Sequence, residues 1–187
     1  AIWNMNTFSI IKNSKCGIIT PDSIIDSDLK IKIQEQKNLI RKQISDLYQK
    51  DEILSKYFSF DGYSFWHTIK PITQKLFKNR IEDISRDIQT IKALFKKITI
   101  DTVVISSEVG ITEQIMINES KKQGVKVALL QHGIYYDTKE AQETNLSKGL
   151  YPIKSDKFLI WGKVSESSLK NSDIVDPTKL KIIGHPK

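Results

Sequence analysis

Cysteine is almost missing from this chain. Cys16 is the only one in 187 residues, which excludes an intrachain disulfide and a thiolate metal cluster. A reducing, cytoplasmic compartment is the expectation. Arginine is nearly as scarce, present only at Arg41, Arg80 and Arg86, although the net charge is +7. The positive charge therefore rests on scattered lysines. The clustered basic stripe and arginine forks used in nucleic-acid recognition are lacking, so no nucleic-acid partner is expected. No apolar run approaches the ~20 residues of a membrane-spanning helix, and no signal peptide is visible. Peripheral attachment to the inner face of a membrane through lysine-rich surfaces stays open. The dinucleotide fingerprint and the phosphate-binding P-loop are both absent, which counts against a nicotinamide dehydrogenase or a P-loop kinase. His67, His132 and His185 show no close metal-ligand spacing, so no metal site is expected, and no cofactor is expected either.

What is present divides near residue 100. Residues 1–100 read as mainly helical with one short strand, Cys16 to Thr20, closed by Pro21. Asp26 or Ser27 is placed to cap a helix in which Leu29, Ile33, Ile40, Ile44, Leu47 and Tyr48 recur at helical spacing. A turn at Ser59 to Gly62 leads into the aromatic cluster Tyr63 to His67, ahead of Pro71. The stripe of Ile81, Ile84, Ile88, Ile91, Leu94, Phe95 and Ile98 then predicts a helix of about five turns, packed against a core.

Residues 101–187 read as a Rossmann-like α/β part with three layers around a mostly parallel sheet, forming one continuous domain with the helical part before it. Four apolar segments carry this reading, and each stops on a small or polar group. Val103 to Ile105 stops at Ser106-Ser107-Glu108, and Val125 to Leu130 stops at Gln131-His132-Gly133. Phe158 to Ile160 stops at Trp161-Gly162, and Ile182-Ile183 stops at Gly184-His185-Pro186. If the strands are parallel, all four tips share the carboxyl edge of the sheet, where ligands of open α/β folds bind. A right-handed crossover is expected between the first two. The stretch from Gly133 to Lys157 is long for a plain connection, as lids and binding loops are.

His132 has the greatest chemical reach at that edge, because imidazole exchanges a proton near neutral pH and is the usual base for activating a hydroxyl. The alternative is that it caps a turn. Gly133 allows a sharp turn or the close approach of a ligand to the main chain. Glu108 could orient an imidazole or bind a substrate hydroxyl, and it could equally cap the following helix. Tyr135 and Tyr136 suit stacking on a sugar or ring face, or pinning their loop to the body. Gly162, Gly184 and His185 complete the set of tip residues.

In order and spacing, Val103 to Pro186 resembles the N-terminal half of bacterial surface-polysaccharide glycosyltransferases of GT-B architecture. The resemblance rests on the strand ending Ser106-Ser107-Glu108, the strand ending Gln131-His132-Gly133, the tyrosine-bearing loop, Ser155 to Gly162 and Lys181 to Pro186. More distantly the run looks like the glycerophosphotransferases of teichoic-acid synthesis. The resemblance implies one half of a two-domain enzyme in which this half holds a carbohydrate acceptor and a second domain holds a nucleotide-sugar donor. It makes His132 the candidate base. It makes Glu108, Gln131, Gly133, Tyr135, Tyr136, Gly162, Gly184 and His185 candidate substrate contacts. It requires no metal. The chain starts at Ala1 and stops at Lys187, where a linker to a donor domain is expected, and without that domain full activity is not expected. A nucleotide-sugar epimerase of similar build, which needs carboxylates in the cleft, and a non-catalytic binding module are the alternatives.

Overall fold

The computed structural model describes Gly17 and residues 19–136, 138–172 and 174–184. The chain forms two compact units, one ending at Leu94 and the other starting at Phe95.

The first unit begins with a short helix, α1 (Pro21–Ile24), whose N-cap Thr20 accepts from the Ser23 N–H at 3.3 Å. The strand expected over residues 16–20 lies partly outside the described residues. Helix α2 (Ser27–Tyr48) starts at Asp26, which accepts from the Leu29 N–H at 2.9 Å, a cap worth about 1 kcal/mol. Leu29 and Tyr48 are buried and Ile33, Ile40 and Ile44 are half-buried, but Leu47 is exposed. The apolar face is thus narrower than the spacing predicts, because Tyr48, about 100° further round the helix, takes the inward position. Helix α3 (Asp51–Tyr57) follows, then a hairpin of β1 (Ser59–Phe60) and β2 (Tyr63–Ser64). Its two-residue turn, Asp61-Gly62, has φ of 49° and 79°, as a tight hairpin twisting with its strands requires.

Helix α4 (Trp66–Lys97) runs for 32 residues and takes in Pro71. The apolar stripe from Ile81 onward does mark its buried face, yet the helix begins well before it. Proline removes one main-chain hydrogen bond, here to the carbonyl of His67. Packing at the helix start outweighs that loss. Trp66 is stacked on Tyr48 at 5.6 Å and on Phe58 at 5.2 Å, each at 19° between planes. Its Nε1 donates to Asp51 at 2.7 Å, and Lys70 donates to both Asp51 oxygens at 2.7 and 2.8 Å. The Lys70 bond first, and then the Trp66 bond, hold the Asp51 carboxyl below the usual carboxylate range. Lys37 pairs with Glu82, and Gln89 donates to Gln36 at 3.2 Å, so α2 and α4 run antiparallel.

The second unit alternates strand and helix: β3 (Thr102–Ile105), α5 (Ile111–Lys122), β4 (Lys126–Leu130), α6 (Lys139–Ser147), β5 (Lys157–Ile160), α7 (Lys163–Asn171) and β6 (Leu180–Ile182). It is a four-stranded sheet, Rossmann-like in kind, with order β3-β4-β5-β6 and every pairing parallel. Register aligns Ile105, Leu129, Phe158 and Leu180 on one face. That face forms the core with Ile117 from α5, Leu169 from α7 and Tyr135 and Tyr151 from the connection between β4 and β5. Strands added in one direction by right-handed crossovers put their helices on the same side. On the other face lie exposed Thr102, Val104, Lys126, Lys157 and Lys181, with Ala128 buried and Leu159 half-buried among them. Three layers were expected; among the described residues of this unit, α5 and α7 supply one helical layer on one face of the sheet. The stretch after Gly133 is also more ordered than a loop, since Thr138 accepts from the Ala141 N–H and opens α6.

Candidate functional site

Because all four strands are parallel, their carboxyl ends and the residues that follow them share one edge. Ser106 to Glu108, Gln131 to Gly133, Trp161-Gly162 and Ile183-Gly184 therefore stand side by side there. His185 lies outside the described residues.

The polar residues that look most suited to substrate are used by the protein itself. Glu108 is buried, and its Oε2 and Oε1 accept from the N–H groups of Lys154 and Ser155 at 2.8 and 2.7 Å. It does not cap α5, whose N-cap is Gly110. The expected helix-capping role gives way to a structural one, in which the carboxylate accepts from the part-buried Lys154 amide and the buried Ser155 amide. Around it the loop is laced further. Ser107 Oγ donates to the Lys148 carbonyl at 2.9 Å, and Glu108 N–H donates to the Gly149 carbonyl at 2.8 Å. Gly149 has φ of 62°, and a Cβ there would lie 2.8 Å from the Val109 nitrogen and 2.9 Å from that of Glu108. Only glycine fits that crossing.

Gln131 is buried as well, and its amide is used within the protein. Its Nε2 donates to the Gly133 carbonyl at 2.8 Å and to Ser165 Oγ at 3.0 Å. Its Oε1 accepts from the Trp161 N–H at 2.8 Å. Both amide hydrogens and the carbonyl are thereby engaged, and one side chain ties the tip of β4 to the tip of β5 and the first turn of α7.

Tyr135 resolves toward pinning. Its ring lies 5.5 Å from Tyr151 and 5.6 Å from Phe158, and its hydroxyl donates to the Leu150 carbonyl at 3.0 Å. Burial, with Tyr151 adding to it, pushes the phenol well above its ordinary value of 10.0. Tyr136, its neighbour, is exposed.

What remains open at the edge is His132, Gly133, Tyr136, Gly162 and Gly184. His132 is exposed and makes no hydrogen bond or ion pair with a described residue. The turn-capping alternative thus finds no bond among those residues. Gly133 does not need its glycine for turning, since its φ is not positive, and a Cβ would meet nothing within 4 Å. Gly162 is the N-cap of α7 and offers no side-chain acceptor to the first N–H groups of that helix. The N-terminus of α5 is already covered, because Glu113 folds back over Gly110.

Two further facts bear on chemistry. Among the described residues no cluster of His, Cys, Asp and Glu could hold a metal ion, and no helix is long and apolar enough to cross a membrane. A cavity of about 480 Å³ lies in the first unit, between α2 and α4, lined by Arg41, Ile44, Tyr48, Gln74, Lys78 and Ile81 among others. Its lining contains no residue suited to act as a general base near neutral pH, so the sheet edge is the better candidate. No family model, curated protein or solved structure matches the chain.

Proposed function

We propose that the second unit is the acceptor-side half of a glycosyltransferase-like protein of surface-polysaccharide synthesis, with His132 as its base. The observation that carries this reading is the contrast at the tip of β4. Gln131 is locked by three hydrogen bonds, while His132, the next residue, is exposed and makes no hydrogen bond with a described residue. A base needs a fixed backbone and a free ring nitrogen within reach of a hydroxyl. In the reaction the acceptor oxygen bonds to the anomeric carbon of the donor, the bond from that carbon to the nucleotide phosphate breaks, and the acceptor proton goes to an imidazole nitrogen. The uncapped start of α7 supplies N–H groups suited to a negatively charged group of either substrate. Gly133 leaves room beside the base.

An epimerase is less well supported. It needs a carboxylate free to act, and both oxygens of Glu108 are occupied by main-chain amides. A binding module is the stronger rival, because no described carboxylate hydrogen-bonds His132 to orient it as many bases are oriented. The test is turnover of labelled nucleotide sugar by the full-length protein with product analysis. His132→Ala is expected to lower turnover by about 100-fold with unchanged thermal unfolding. Unchanged turnover removes His132 from catalysis, and a product epimerised without an acceptor replaces the transferase by an epimerase.

A further inference from the structure

The first unit exposes large apolar side chains in a stretch that carries positive charge only. Between Asp61 and Glu82 there is no carboxylate, while Lys70, Lys75, Lys78 and Arg80 fall within it. Tyr63 is 80% exposed, Ile72 58% and Leu76 57%. Ile72 and Leu76 are four apart on α4 and so stand one above the other on a single face. Lys75 lies about 100° to one side of Leu76, and Arg80 is four residues on, near the same face. Lys75 makes no ion pair with a described residue. Arg80 faces Asp83 at 3.8 Å with both side chains mostly exposed, a pair that solvent screens. Lys70 alone is spoken for, by Asp51.

Nor is the exposure slack in a loose segment. Phe58 and Trp66 are stacked on one another on either side of the hairpin, and Phe65 N–H donates to the Phe58 carbonyl at 2.9 Å. In the hairpin Phe60 and Tyr63 are directly paired, so their rings project from the same face, both about four-fifths exposed. The base is fixed inside and the aromatics are fixed outside.

We propose that the hairpin and the first half of α4 form a docking surface for an anionic lipid bilayer, on which the helix lies. Apolar residues enter the headgroup boundary, tyrosine sits at its wet edge, and flanking cations meet lipid phosphates. Charge complementarity selects this occupant, since from Ser59 to Ile81 the surface sets Lys70, Lys75, Lys78 and Arg80 against a single carboxylate, Asp61 at the hairpin tip, and a net positive stretch matches a negative surface. No described helix can span a bilayer, so the contact is with its surface. The inference is independent of the transferase reading.

The experiment is co-sedimentation of the full chain with vesicles of phosphatidylcholine alone or mixed with phosphatidylglycerol. Binding is expected to the mixed vesicles and to weaken as salt is raised. Ile72→Ser with Leu76→Ser, and separately Lys75→Gln with Arg80→Gln, are each expected to weaken binding by about tenfold or more. Ile72→Leu with Leu76→Ile keeps the apolar face and is expected to bind as the parent does, which separates a lost contact from a lost fold. Failure of the parent to bind mixed vesicles overturns the proposal, as does binding unchanged in the serine and glutamine variants. A fall from dimer to monomer in the serine variant, with vesicle binding intact, assigns the face to a second copy and overturns it equally.

Discussion

The two units handle their aromatic side chains differently, the first exposing Tyr57, Phe60, Tyr63, Phe65 and Phe77 and the second burying Tyr135, Tyr151 and Phe158. In the second, aliphatic residues of four parallel strands and two helices share one core, and its buried Glu108 and Gln131 are fully occupied by hydrogen-bond partners. In the first, a small cluster of Tyr48, Leu54 and Trp66 closes one end, while Tyr57, Phe60, Tyr63, Ile72 and Leu76 face outward. A core spread over a sheet tolerates local loss because each residue carries a modest share. A small cluster gathered on one indole does not. Trp66→Ala is therefore expected to have the largest effect, about 4 kcal/mol off the stability of the first unit, by leaving a cavity between Tyr48 and Phe58. Denaturant unfolding followed by circular dichroism checks it. A loss no larger than that of an ordinary surface substitution would mean that the first unit does not depend on this stack.

The next prediction tests the second unit at its most polar point. Glu108→Ala leaves the N–H groups of Lys154 and Ser155 without their acceptor, at an expected cost of about 3 kcal/mol. Glu108→Gln should recover little of it. An amide has one oxygen and an NH₂ group, and the second would face an N–H donor. Full recovery in the glutamine variant would show that only one of the two bonds matters. Hydrogen exchange at Lys154 and Ser155 reports the loss directly.

The parts of this arrangement that sequence reveals are those with a side-chain signature. The four strands of the second unit are visible because β-branched and aliphatic runs stop at glycine or polar residues, and the structure ends them within a residue or so of those stops. The α5 helix is visible instead in Ile111, Ile115 and Met116 at helical spacing ahead of Gly124, and α4 in its buried stripe. What stays hidden has physical causes. The start of α4 is masked by Pro71, whose penalty is outweighed by the Trp66 contacts made from elements distant in sequence. Helix α6 buries none of its residues, so its sequence carries no apolar period. The roles of Glu108 and Gln131 are hidden because their partners include main-chain groups, which leave no mark on the sequence. The Asp61-Gly62 turn did carry such a mark, a hairpin dipeptide.

The mildest expected change separates two residues that sequence treats alike. Tyr135 is buried with its hydroxyl bonded to Leu150, and Tyr136 is exposed. Tyr135→Phe keeps the ring contacts with Tyr151 and Phe158 and loses one hydrogen bond, for about 1 kcal/mol, whereas Tyr136→Phe should cost almost nothing. The pH dependence gives the sharper readout. The folded state holds the Tyr135 phenol above its ordinary value of 10.0, so its unfolded form loses the proton first as pH rises. The stability tied to the neutral phenol is complete below that value and drains away as pH climbs beyond it. Tyr135→Phe should flatten this alkaline decline and Tyr136→Phe should leave it intact. An identical alkaline profile in both variants would place the titrating group elsewhere and return Tyr135 to the role of a simple apolar ring.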